Sequence, residues 1–167
     1  MTDATPMPPP GGPAPEWDGE AAVNAARQKV QTYLLRETEI GIDQRGRLTV
    51  DRGSTRVFLE FFAMPEKRLV YVTLTAPIAF YVPITPELFE HIARNADKWY
   101  FGHLSMNPYA DDSEYAGKAY VYFTDTLIAE YIDPEELRVR TFAVVDTANA
   151  LDEEFVEKFG GTRYQDS

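Results

Sequence analysis

Two strand-like runs, Arg56–Met64 and Leu69–Thr75, sort their side chains by chemical type as well as by hydropathy. One parity holds Val57, Leu59 and Phe61 in the first run and Val70, Val72 and Leu74 in the second. The other holds Phe58 and Phe62 beside Glu60, and Tyr71 beside Thr73 and Thr75. Successive strand residues point to opposite faces, so a sheet built from these runs has one aliphatic face and one aromatic face. The aliphatic set suffices for a core under helices, since an antiparallel sheet needs only one buried face. The turn Met64-Pro-Glu-Lys67 joins the two runs. Before them, Leu48 and Val50 alternate ahead of the turn Arg52-Gly-Ser54, so residues 46–76 read as a three-stranded antiparallel meander.

The remaining elements follow from spacing and caps. Val23, Ala26, Val30, Tyr33 and Leu34 predict a helix over 18–39, closed by Gly41. Thr85-Pro86-Glu87 starts a second helix, with Leu88, Ile92, Ala96 and Trp99 on one face. Strands are expected at about 100–106 and 118–124, flanking a polar loop over 107–117. Leu104 and Met106, then Val121 and Phe123, extend the aliphatic face, while Phe101, His103, Tyr120 and Tyr122 extend the aromatic one. Asp133-Pro-Glu-Glu136 opens the last helix and Gly160-Gly161 stops it. The alternation over 138–145 also admits a short strand; the spacing of Leu137, Thr141, Val144, Ala148, Leu151, Phe155 and Phe159 favours one long helix. The fold class is therefore α+β: helix, three-stranded meander, helix, two strands, long C-terminal helix.

Residues 1–17 stand apart. Six of the twelve prolines lie there with Gly11 and Gly12, and no branched aliphatic residue does. Such a segment buries too little apolar surface to offset its ordering entropy, so it is expected to be a disordered Pro-rich tail preceding a single domain over 18–167.

Several function classes drop out. With no cysteine there is no disulfide framework, thiolate zinc site or cysteine nucleophile. The net charge of −11 argues against nucleic acid, whose phosphates need clustered Lys and Arg. The longest apolar stretch, 76–84, has nine residues including Pro77 and Pro83, well short of the roughly 20 a membrane helix needs. With no signal-peptide pattern, the expected location is the cytoplasm. Phosphate-binding glycine loops and a nucleophile elbow are missing. His91 and His103 fall in different elements, and Asp111, Asp112 and Glu114 lack the spacing of a calcium loop. No catalytic residue, metal or cofactor is implied, so the expectation is a binding protein and not an enzyme.

Two features point to a partner. The chain has ten Phe, ten Tyr and two Trp, or 13% aromatic residues. Residues 18–98 are neutral overall, whereas 99–167 carry −9. Phe58, Phe62, Tyr71, Tyr120 and Tyr122 are the candidate partner-binding residues, because a contiguous exposed aromatic patch marks an interaction surface. The other reading is that a further element, such as the last helix, covers this face. The acidic half either aids solubility or attracts a basic partner.

The chain resembles the type III secretion chaperone fold and the related YbjN family of bacterial proteins, the latter named as sensory transduction regulators. The resemblance rests on Val70-Tyr-Val-Thr-Leu-Thr-Ala76 with Val82-Pro83, on Asp133-Pro-Glu-Glu-Leu137, and on Ala148-Asn-Ala-Leu-Asp-Glu-Glu154 running to Phe159-Gly-Gly161. It covers about residues 18–161. Asn149 departs from it, standing where many members carry Asp. The resemblance implies a peptide-binding chaperone or adaptor, dimeric, holding an extended client segment against the sheet; the acidic C-terminal half fits a basic client. The alternative is a regulatory or structural protein that assembles with a folded partner.

Overall fold

Asp18 accepts hydrogen bonds from the backbone N–H groups of Glu20 and Ala21, both at 3.0 Å, and so starts helix α1, Gly19–Leu34. The computed structural model describes residues 16–167; the segment expected to be a tail lies outside this range except for its last two residues. Of these, Trp17 packs with Ala26, Val70 and Ala129 and belongs to the domain. The buried stripe of α1 is Ala26, Val30 and Leu34, and the helix ends where the stripe ends, five residues before the expected Glu39.

The meander is present and longer than expected. A two-residue strand β1, Gly41–Ile42, pairs with β2, Leu48–Arg52, across a turn held by Asp43, whose Oδ1 accepts from the N–H groups of Arg45 and Arg47. Strands β3, Thr55–Met64, and β4, Leu69–Pro83, follow. β4 continues eight residues past its expected end because Ala76, Pro77, Ile78 and Ala79 are buried on both faces of the sheet. A run buried on both faces carries no period-two signal.

Thr85 Oγ1 accepts from the N–H of Leu88 at 3.2 Å and starts α2, Pro86–Arg94. Asn95 ends it, its side-chain amide donating to the carbonyl of His91 at 2.7 Å. Strand β5 is His103–Pro108 and β6 is Lys118–Ile128, the latter lengthened by pairing with β4 down to Tyr71↔Ile128. The last helix, α3, runs unbroken over Pro134–Phe159, so residues 138–145 are helical. After Gly160-Gly161 the chain forms a two-residue strand β7, Thr162–Arg163, and a 3-10 turn, Tyr164–Asp166.

All strand pairs are antiparallel, in the order β1-β2-β3-β4-β6-β5, with β7 added to β4. Val30 and Leu34 of α1 and Leu137, Val144, Val145, Ala148 and Phe155 of α3 share one core with Val57, Leu59, Val72, Leu74, Val121 and Phe123. The helices therefore lie on the aliphatic face. Arg140 ties α3 to β6, its Nη2 donating to the buried Asp125 at 2.7 Å.

Phe101 is a correction to the expected aromatic face. Gly102 has φ +71, and a Cβ there would meet Phe123 Cε1 and the Thr124 carbonyl, each at 2.6 Å. This left-handed residue resets the alternation, and the Phe101 ring lies 4.6 Å from the Arg140 guanidinium.

Phe155→Asp is expected to lower stability by roughly 3 kcal/mol or more, the cost of an unpaired carboxylate in an apolar core. The urea unfolding midpoint reads this, and an unchanged midpoint would show that α3 does not seal the core.

Candidate functional site

Strand register places the five candidate residues on the side of the sheet that carries no helix. Rows across the sheet read Phe62↔Tyr71↔Ile128, then Glu60↔Thr73↔Thr126, then Phe58↔Thr75↔Thr124↔His103. Beyond them come Pro77↔Tyr122↔Ser105 and Tyr120↔Asn107. Directly opposed residues share a face, so all five candidates are on one surface but in two groups. Phe62 and Tyr71 form a cross-strand pair at one end. Phe58, Tyr120 and Tyr122 lie toward the other, Phe58 in the row of Thr75 and Thr124, which approach to 3.3 Å, and the two tyrosines beyond that row.

The second group is part of a longer aromatic chain. Tyr122 stacks on Tyr120 with ring centroids 4.8 Å apart, and Tyr120 stacks on Phe80 at 5.3 Å. Tyr164 lies 6.3 Å from Phe80 and meets Phe58 edge-on at 6.2 Å. Phe80 and Tyr164 are additional members of the site. Phe80 sits inside the apolar run 76–84, which has no alternation, and Tyr164 follows the Gly-Gly stop; neither carries a sequence signal for this face. The Arg47 guanidinium covers the Phe58 ring at 4.2 Å. Phe58, Phe80, Tyr120, Tyr164 and Arg47 line an open groove of about 630 Å³ that also meets Asp43, Arg45 and Arg56, with Tyr122 outside it.

The face is partly covered, though not by the last helix. Phe58 is only 9% exposed, under Arg47 and Tyr164, whereas Phe62 is 51% exposed. Tyr71, Tyr120 and Tyr122 are half-buried. Charge is divided between the layers. Arg47 pairs with Asp43 at 2.7 Å and Arg56 pairs with Asp51 through Nη2 at 2.8 Å. Most acids of residues 125–167 belong to α3, whose buried residues pack against the aliphatic face of the sheet. The acids of α3 and the aromatic surface are thus on opposite sides of the sheet, and not adjacent as their closeness in sequence suggests.

A second aromatic group, Tyr81, Tyr109 and Tyr115, borders β6. Tyr81 has φ +57 and its ring lies 4.3 Å from Tyr115 and 5.4 Å from Tyr109. Hydrogen bonding to Glu114 and then Tyr81 pushes the Tyr115 phenol up to about 12, and burial raises that of Tyr120. His91 packs against Phe159 and Phe155, its pKa lowered by burial and then by Lys158 and Lys98. Among the described residues no group of three His, Asp or Glu side chains is placed to hold a metal ion, and no helix is long and apolar enough to cross a membrane.

The family model described as "T3SS (YopN, CesT) and YbjN peptide-binding chaperone 1" matches residues 24–167. Among solved structures, the chain is similar to the Yersinia pestis type III secretion chaperone SycH in complex with a stable fragment of YscM2. The identity is 16%, the coverage 75% of this chain and 98% of that chain, and the TM-score 0.45. No curated protein matches the chain.

The raised phenol pKa of Tyr120 favours its protonated form in the fold. That contribution is present below the ordinary tyrosine value of about 10 and is lost as pH climbs above it. Tyrosinate absorbance is therefore expected to rise later for the folded protein than for the urea-unfolded chain. Tyr120→Phe should remove part of the late-ionising amplitude; identical curves for folded and unfolded protein would contradict the packing around Tyr120.

Proposed function

Because the chain belongs to the family of T3SS and YbjN peptide-binding chaperones, we propose that it holds an extended protein segment against the aromatic face of its sheet. The observation that carries this reading is the register itself: Phe58, Phe62, Tyr71, Tyr120 and Tyr122 on one surface, opposite the helix layer. Aromatic side chains supply large contact area at low conformational cost, and the threonine band between them offers hydroxyls to a client backbone. The role is that of a cytoplasmic chaperone or adaptor without catalysis or cofactor.

A basic client, and a symmetric dimer of this chain, are the finer parts of the proposal. A net charge of −11 draws a basic segment toward the molecule. Net charge acts on encounter alone, since Arg45, Arg47 and Arg56 border the groove, and the aromatic face governs how long the client stays. The surplus of aromatic surface over what one core needs supports association with a second copy.

The test is titration of the full chain with a panel of unstructured peptides of graded basic charge. Micromolar binding is expected, weakened at least about tenfold, or 1.4 kcal/mol, in a Phe62→Ser, Tyr122→Ser variant of unchanged melting temperature. These two residues are chosen because neither is fully buried. Unaltered affinity in the variant moves the site elsewhere. A chain that ignores every peptide yet assembles with a folded partner is a regulator of assembly and not a chaperone. Light scattering at 18.9 kDa throughout the micromolar range would exclude the dimer.

A further inference from the structure

We propose that residues 162–166 are a built-in ligand of the aromatic groove, seated by strand addition and displaced when a client segment binds. The proposal rests on the peptide-binding reading in taking a client as the displacing segment.

The edge that receives the segment is created by a mismatch of strand lengths. Pairing between β3 and β4 stops at Phe58↔Thr75, while β4 continues to Pro83. The first residues of β3 pair with β2, and Thr55 Oγ1 donates to the Pro77 carbonyl at 2.9 Å, closing the gap where the strands part. From Ala79 on, β4 thus presents a backbone edge in the interior of the sheet. Such groups require partners, and β7 supplies them through Ala79↔Arg163 and Phe80↔Thr162. Two residues beyond Thr162, the Tyr164 ring sits between Phe58 and Phe80. The segment therefore displays the two elements of peptide recognition by strand addition: main-chain pairing and a side chain in a pocket.

Its attachment is slight for a structural strand. It has two residues in register, one half-buried ring, and an ion pair, Arg163 Nε to Asp166 Oδ2 at 2.7 Å, that is internal to the segment. It is joined to α3 by Gly160 and Gly161 at φ +76 and +96. Two adjacent glycines in conformations other residues rarely adopt turn the chain from α3 onto β4, where a Cβ on Gly161 would meet the Phe80 carbonyl oxygen at 2.5 Å. Short pairing and few buried apolar contacts put a segment at the low end of local stability. Its departure would uncover Phe58 and Phe80 and enlarge a groove already open beside Tyr120. What fits there is an extended segment, antiparallel to Ala79–Phe80, with an aromatic residue two positions after the one opposite Phe80. Because the resident segment competes, a client's apparent affinity is reduced by the fraction of molecules with the groove vacant.

The probe is a fluorescent peptide of residues 160–167, Gly-Gly-Thr-Arg-Tyr-Gln-Asp-Ser, titrated into the full chain. Tyr164→Ala is expected to bind it at least about tenfold more tightly than the wild type, and adding Phe80→Ala to abolish that gain. Hydrogen exchange on the wild-type chain gives the second reading: the amides of 162–166 should exchange well ahead of those shared by β4 and β6. Equal affinity of wild type and Tyr164→Ala overturns the proposal, as does protection of 162–166 equal to that of β4, which also decides the case if Tyr164→Ala does not fold. The unstructured peptide panel separates the two readings. Panel peptides that bind wild type and Tyr164→Ala alike leave the client reading standing and remove the competing tail. A tail peptide that binds while no panel peptide does leaves the seat standing and removes the client.

Discussion

Strand β4 is the constraint on which the rest of the molecule depends. It pairs with β3, β6 and β7, and its core residues Val72, Leu74, Ala76, Ile78, Ala79 and Val82 run the length of the main core. A strand of 15 residues exceeds any neighbour, so its edges cannot all be matched by one partner on each side. Register shifts at Pro77/Ala79 and Ala79/Val82 on the β6 side, and the change from β3 to β7 on the other, are how the mismatch is accommodated. The left-handed Tyr81 falls within the second shift. Edge irregularities of this kind locally disrupt pairing and re-aim side chains, and here they lie beside Phe80, in the middle of the aromatic chain.

The sequence is most readable where local chemistry decides the outcome. Asp18, Thr85 and Asp133 each cap a helix as their residue types demand, and the two Pro-Glu starts fix α2 and α3. α3 remains helical through the β-branched stretch 138–145 because Leu137, Thr141, Val144, Val145 and Ala148 all reach the core from a helix; packing outweighs a local propensity of a few tenths of a kcal/mol per residue. The two-faced character of the meander is equally plain in the alternation of aliphatic and aromatic residues. What the pattern does not carry is anything set by long-range pairing. Phe80 lacks a periodic context because its neighbours are buried on both faces, and Tyr164 reaches the site only because a strand forms beyond the helix stop. Phe101 follows the alternation in sequence and escapes it in space, since one glycine at φ +71 resets the face. The partition of charge between layers was hidden for the same reason: Tyr120 and the acids of α3 are near in sequence and separated by the sheet.

Position 149 has a physical account. Asn149 Oδ1 accepts from the N–H of Ser54 at 2.6 Å, and the Ser54 hydroxyl lies 2.6 Å from the buried Asp152 Oδ2. This ties the β2–β3 turn to α3. A Cβ on Gly53 would collide with the Asn149 side chain, so the turn needs both glycine and a close approach. The contact requires an oxygen acceptor of that length, which Asn and Asp share. The neutral amide also avoids placing a second carboxylate next to Asp152 in a poorly solvated spot, where like charges are costly.

Separation of tasks between the two layers follows from these contacts. The helix layer closes the core, and α3 carries seven of the eleven acids of residues 125–167, which contribute to the long-range field of the molecule. The opposite face contributes little to that core, since Val57, Leu59, Val72 and Leu74 already complete it with α1 and α3. Its aromatic rings are therefore free to answer to something other than stability. Where they are covered, the cover is Arg47 on Phe58 and Tyr164 between Phe58 and Phe80. One cover comes from the β1–β2 turn at the end of the strand path and the other from the short segment added to β4, and neither from the helices that hold the sheet together. A surface whose cover is independent of the core can open without unfolding the domain, because local opening draws only on the contacts that it breaks.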